Sequence, residues 1–290
     1  MPLRNYYLLA LSVALSLCAN VSAQEISRES LQSPGSYQVA FYSSYPAVAE
    51  FSAATIYFPA NKGQDFGGIV IAPGFLESQE NISWWGNYLA SHGFAVLTLD
   101  TNDLHVYPSL RADALMAAVE VLRNEGDRMG GILRGKILKE RMAIMGHSMG
   151  GGGSLIAANA YSAELKAAIP FTPWQPNTEF GAISVPTLII AGENDRIAPV
   201  ADHALPHFES LSEDIPTMYL EIKGGNHFIA NTDTGDDLLA PNIDVHGLVG
   251  GMAVAWLKLF VDEDENYRDL VFGEMPASDR ERLSKLKFSE

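Results

Sequence analysis

Ser148 lies in the run Gly146-His147-Ser148-Met149-Gly150, with three further glycines behind it. A serine flanked by glycines two residues to either side is the pattern of a nucleophile elbow, a tight turn from a buried strand into a helix. Small residues let strand and helix approach closely and tolerate the backbone strain that pushes the hydroxyl outward. Residues 141–145 read as the strand and residues 152–161 as the helix. A serine hydroxyl is a weak nucleophile, so it needs a base, and the base needs an orienting carboxylate.

Two downstream segments can supply them. Residues 185–195 read as a buried strand running into an acid-containing loop, and residues 220–227 as the next strand, ending in Gly224-Gly225-Asn226-His227. Asp195 and His227 are then expected beyond the C-terminal ends of parallel strands, where the sites of open α/β sheets gather. Glu193 and Asp202 are alternative acids; Asp195 is favoured by its place in the strand-end loop. His203 and His207 have the one-turn spacing of a zinc pair, but no third ligand suggests itself, and both are expected on the surface or in a groove. His92 is expected at a helix C-terminus, stabilised by the dipole. A developing oxyanion needs two backbone donors. Met149, after the serine, is one candidate, and Phe75, after the strand and turn Ile69 to Gly74, is the other.

The elements that must carry these residues alternate. Strands are predicted at 53–58, 67–72, 95–100, 141–145, 167–171, 187–191 and 217–222. Helices are predicted at 81–92, 110–124, 152–161, 201–211 and 250–261, and antiparallel edge strands around residues 36–42. This alternation specifies an α/β protein with a mainly parallel sheet covered on both faces. No linker divides residues 24–290, which are expected to form a single domain. The charged tail after Asn266 is expected to be peripheral or frayed.

Residues 1–23 combine Arg4, an apolar run and Val21-Ser22-Ala23, the pattern of a secretory signal cut before Gln24. The apolar run is too short to span a membrane. Leu17 is too large for a lipid-attachment box at Cys18, so no membrane anchor is expected, and the protein is expected to be extracellular or periplasmic. Cys18 is the sole cysteine, so residues 24–290 hold no disulfide or thiolate metal site. A net charge of −16 makes nucleic acid and anionic membranes poor partners.

Several segments in chain order carry a resemblance: Ala72-Pro73-Gly74-Phe75, Trp84-Trp85-Gly86, Ser91-His92-Gly93-Phe94, Leu99-Asp100-Thr101-Asn102, Met145 through Ser154, Glu193 through Val200, and Gly224 through His227. Together they resemble the bacterial cutinase and poly(ethylene terephthalate) hydrolase family, over nearly all of residues 24–290. The resemblance implies an α/β-hydrolase fold and a serine esterase that cleaves polyesters and short-chain esters; the acyl-enzyme mechanism needs no cofactor, and a monomer is expected. It implies Ser148, Asp195 and His227 as the triad, and Phe75 and Met149 as the oxyanion pair. Trp174 matches the aromatic wall of the substrate cleft and Ile197 an apolar contact opposite. His147, His203 and Phe228 match the cutinase-like subtype, His147 and Phe228 as substrate contacts.

The chain departs from its relatives in three ways. It lacks their C-terminal disulfide. Lys223 stands where heat-stable relatives have a metal-binding acid, so no metal is expected, and a Lys223–Glu193 pair is expected instead. The stretch from His227 to Trp256 is longer than usual, and the apolar residues of 232–247, Leu238, Leu239, Ile243 and Val245, are expected to line the cleft rim.

Overall fold

The computed structural model describes residues 26–232 and 245–290. Their strands are β1 (Val39–Tyr42), β2 (Phe51–Pro59), β3 (Phe66–Ala72), β4 (Ala95–Thr101), β5 (Ile137–His147), β6 (Ala167–Phe171), β7 (Thr187–Gly192), β8 (Thr217–Ile222) and β9 (Leu283–Ser289). They form one sheet in the order β1-β2-β4-β3-β5-β6-β7-β8-β9. The six strands from β4 through β8 in that order pair in parallel; β1, β2 and β9 are antiparallel additions at the two edges. The helices are α1 (Arg28–Leu31), α2 (Ser83–Ser91), α3 (Pro108–Glu125), α4 (Met149–Tyr161), α5 (Ala204–Glu209), α6 (His246–Phe260), α7 (Arg268–Phe272) and α8 (Ala277–Arg280).

β3 and β6, inside the parallel part of the sheet, are apolar along their whole length because both of their faces are covered. Successive side chains go to opposite faces. Ile69 and Ile71 of β3 join one core with Trp85 of α2 and Trp256 of α6, while Val70 joins the other with Leu115 of α3 and Leu155 of α4. β7 divides in the same way, Leu188 and Ile190 to the first core and Ile189 to the second. Trp85 stacks on Phe171, at the end of β6, with ring centroids 4.7 Å apart.

The helix starts differ from expectation for local reasons. α3 begins at Pro108, whose missing N–H costs nothing in the first turn. α6 begins four residues early, at His246, whose imidazole Nε2 contacts the Asn231 carbonyl (2.7 Å) and whose ring stacks on Trp84. His92 caps α2 but does not draw on the dipole as a cation. Burial pushes its pKa down to about 4, and Lys258 adds to the effect, so its neutral ring is the form that meets the Ser33 carbonyl, 3.0 Å away.

The tail is the largest correction. Residues after Asn266 are not frayed: they form α7, α8 and β9, and β9 pairs with β8 from Thr217↔Ser289 to Ile222↔Leu283. Leu283 is buried and Leu286 packs on the core. Lys285 and Lys287 lie along this last strand, beside Glu221 and Glu209 respectively, and charge on an edge strand discourages pairing with another chain. Deleting residues 283–290 exposes the β8 edge and removes a buried leucine worth about 1.5–3 kcal/mol. The thermal midpoint should fall by roughly 3–12 °C; an unchanged midpoint would show that the strand is dispensable.

Candidate active site

β5 ends at His147 and α4 starts at Met149, so Ser148 is the whole of the turn between them. Its backbone lies at φ 54° and ψ −117°, a region that side chains other than glycine rarely enter. Three hydrogen bonds hold it there. The Ser148 N–H donates to the Phe171 carbonyl (3.0 Å), and the Ser148 carbonyl accepts from Gly152 and Trp174 (2.9 Å each). The flanking glycines are required by contact: a Cβ on Gly146 would lie 2.2 Å from the Gly150 carbonyl oxygen, and one on Gly150 would lie 2.3 Å from that of Ala72.

The expected three side chains meet at this turn. The Ser148 Oγ is 2.8 Å from His227 Nε2, and His227 Nδ1 is 2.7 Å from Asp195 Oδ2. The other Asp195 oxygen accepts the N–H groups of Ile197 and Ala198, at 2.9 and 2.8 Å. With Nδ1 donating to a carboxylate, Nε2 of a neutral imidazole carries the lone pair and faces the serine hydroxyl. Burial lowers the His227 pKa, and the charge of His147 adds to this against the raising effect of Asp195. The alternative acids are elsewhere: Glu193 accepts the Gly224 N–H (2.7 Å), and Asp202 is exposed. No Lys223–Glu193 ion pair occurs among the described residues.

The loop after β3 closes on the serine. A Cβ on Gly74 would come within 2.9 Å of Ser148 Cβ, so the Gly74-Phe75 segment lies directly against the nucleophile turn. Met149 opens α4, where the first N–H groups have no partner within the helix. Phe75 and Ile197 are exposed large apolar residues, and Trp174 and Phe228 are half-buried. Trp174 faces His203 with centroids 5.8 Å apart, and Phe228 lies 5.5 Å from the His227 ring.

Three expectations are corrected. His147 is not a substrate contact: it is 1% exposed, and its ring nitrogens meet Glu77 and the His227 carbonyl. His207 is no surface residue. It is fully buried against the Gln175 carbonyl, 2.9 Å away, and burial lowers its pKa to about 4. Val245 belongs to the core rather than to a cleft rim; Leu238, Leu239 and Ile243 lie outside the described residues. Among the described residues no group of three or more His, Cys, Asp or Glu side chains is placed to hold a metal.

Sequence reasoning missed the polar residues behind the site. Glu77 and Asn231 are buried and bonded to each other at 2.6 Å. Arg111 is fully buried and donates to the carbonyls of Pro73, Leu104 and Val106, pinning the loops that flank the serine. Arg111 did leave a signal, since it occupies the apolar stripe of α3 between Pro108 and Leu115. Thr172, at φ 37°, donates its hydroxyl to the His227 carbonyl (2.9 Å).

A mainly parallel sheet, covered by helices on both faces and turning from strand to helix through a strained serine, is the α/β-hydrolase fold. Comparison with known proteins narrows this class. The family model described as PET hydrolase-like matches residues 24–287. Cutinase 1 of Thermobifida cellulosilytica is 42% identical over 237 residues, 79% of this chain and 84% of the relative. Cutinase of Thermobifida fusca (strain YX) is also 42% identical over 237 residues, 79% of this chain and 73% of its own. Bis(hydroxyethyl) terephthalate hydrolase of Streptomyces coelicolor is 39% identical over 249 residues, 85% of this chain and 74% of its own. The chain belongs to the PET hydrolase-like family and is a carboxylic ester hydrolase.

A histidine serving as base works only when neutral. Because the His227 pKa is lowered, the acid limb of kcat/KM on a soluble ester should have its midpoint below the ordinary histidine value of 6.5. A pH profile with its midpoint above 6.5 would contradict the environment described for this ring.

Proposed function

We propose that the protein is a secreted serine esterase that cleaves the ester bonds of polyesters, aromatic ones included, and of short-chain esters through an acyl-enzyme. The observation that carries this reading is the continuous relay from Ser148 Oγ through His227 to Asp195 (2.8 and 2.7 Å). His227 Nε2 takes the hydroxyl proton as Ser148 attacks the ester carbonyl. The tetrahedral oxyanion is held by the N–H groups of Phe75 and Met149, and loss of one such donor costs roughly 10²–10³-fold in rate. The imidazolium then gives its proton to the departing alcohol. Water, activated by the same ring, attacks the acyl-enzyme and releases the acid. Asp195 keeps the proton on Nδ1 and stabilises the transient cation. Every step uses protein groups and water.

The substrate class rests on the cleft. Trp174, Phe75, Ile197 and Phe228 offer apolar and aromatic surface beside the serine, a surface suited to a chain of alternating esters and rings. The relatives named for cutin and terephthalate ester cleavage support the same reading. Secretion follows from residues 1–23, read as a signal peptide, with 24–290 as the hydrolase domain. No helix among the described residues is long and apolar enough to cross a membrane. The acidic charge argues against a nucleic-acid partner, and the protein is proposed to act as a monomer. A general esterase for soluble or lipid esters is the alternative; polymer film distinguishes the two.

Incubated with poly(ethylene terephthalate) film, the protein should release soluble aromatic acids, and Ser148→Ala should release at least about 10⁴-fold less while remaining folded. Hydrolysis of soluble esters without release from film would support the alternative. Ring stacking is worth about 0.5–1.5 kcal/mol beyond area burial. Trp174→Ala should therefore lower the ratio of aromatic to short aliphatic ester turnover by roughly two- to tenfold; equal losses on both substrates would assign Trp174 to packing.

A further inference from the structure

Behind the triad lies a second buried acid–histidine pair that the reaction steps above do not use. Glu77 Oε2 faces His147 Nδ1 at 2.7 Å and also accepts the Gly74 N–H at 2.5 Å. Glu77 Oε1 accepts from the Asn231 amide at 2.6 Å. His147 Nε2 meets the backbone carbonyl of His227 at 2.8 Å. One carboxylate thereby joins the loop that carries Phe75, the end of β5, and the loop from His227 to Asn231.

The charge state follows from donor counting. Both ring nitrogens of His147 face oxygens, one of a carboxyl group and one of a backbone carbonyl. A neutral imidazole has a single N–H, so one lone pair would point at an oxygen; an imidazolium satisfies both contacts. Each Glu77 oxygen already accepts an N–H, from Gly74 or from Asn231, which favours the carboxylate over the acid. The charged groups around the pair are Arg111 beside Glu77, and His227 and Asp195 beside His147, whose ring centroid lies 4.9 Å from that of His227. Burial opposes both charges. The attraction and hydrogen bond between the partners outweigh it, holding Glu77 near 2 and His147 above the ordinary histidine value.

We propose that Glu77 is a positioning residue for ester cleavage: it keeps His147 a permanent cation, and the ionised pair clamps the main chain of the base His227 to the loop that supplies the oxyanion donor. The kinetic part rests on the esterase reading above; the charge state does not.

The test is made on the full chain with ¹⁵N-labelled histidine. Long-range ¹H–¹⁵N spectra at pH 8, with His147→Gln for assignment, should show both His147 ring nitrogens protonated, whereas an ordinary histidine is neutral there. A His147 with one N–H at pH 8 overturns the proposal. Glu77→Gln keeps the size and hydrogen-bonding capacity but not the charge. It should leave His147 neutral at pH 8 and lower kcat on a soluble ester by about ten- to a hundredfold, with KM within about twofold, because displacement near the reacting atoms acts on the chemical step. Wild-type kcat in that variant overturns the positioning role. Should Glu77→Gln fail to fold, Glu77→Asp decides. It should retain the doubly protonated ring and more than about a third of kcat, and loss of the second N–H in that variant contradicts the pairing. A wild-type protein that showed the imidazolium but cleaved no ester would overturn the esterase reading and leave the charge assignment standing.

Discussion

The left-handed backbone of Ser148 is the constraint around which the site is organised. Such a conformation costs of order 1–3 kcal/mol and persists only where its surroundings over-determine it. Those surroundings are on three sides. The Phe171 carbonyl at the end of β6 holds the Ser148 N–H, and the first turn of α4 and the Trp174 N–H hold its carbonyl. The glycines at 146 and 150 bring β5, α4 and the end of β3 closer together than any side chain would permit. The fold fixes all three, because β3, β5 and β6 are parallel neighbours at the centre of the sheet and end together. The strain is thus stabilised by the two cores, and the hydroxyl is presented at the point where three strand-end loops converge.

Electrostatics adds a second layer of order. Asp195 is buried, and its two oxygens are engaged by His227 on one side and two backbone N–H groups on the other. A buried carboxylate satisfied in this way stays in one position. Behind it, the Glu77–His147 pair and the Arg111 guanidinium tie loops together through backbone carbonyls and N–H groups. The apolar side chains of Phe75 and Ile197, by contrast, face solvent.

Much of this was legible in the sequence because it is local. A glycine-flanked serine after an apolar run, an acid three residues past a strand, and a histidine after Gly-Gly each announce a strand end. Strand ends of a parallel sheet fall on one side of it. Glu77 was not legible, since an acid in a polar turn looks solvated and its partner is 70 residues away. His147 was read as a substrate contact from the resemblance alone, and its burial depends on Glu77 and the His227 carbonyl, 70 and 80 residues away in the chain. β9 was hidden by its charges: Lys285 and Lys287 read as a solvated tail, whereas they are what an exposed edge strand requires. The start of α6 was hidden because its first turn is held by Asn231 and Trp84, residues distant in sequence.

The central claim is that Ser148 is made reactive by the geometry around it and that His227 is the cause. An aryl phosphonate ester, which leaves a tetrahedral adduct on an activated serine, tests this without reference to any particular substrate. Peptide mass spectrometry after brief exposure should find one adduct, on the peptide carrying Ser148. Labelling of a folded His227→Ala protein should be slower by several orders of magnitude. An adduct on another residue, or labelling of the variant at the wild-type rate, would contradict the account.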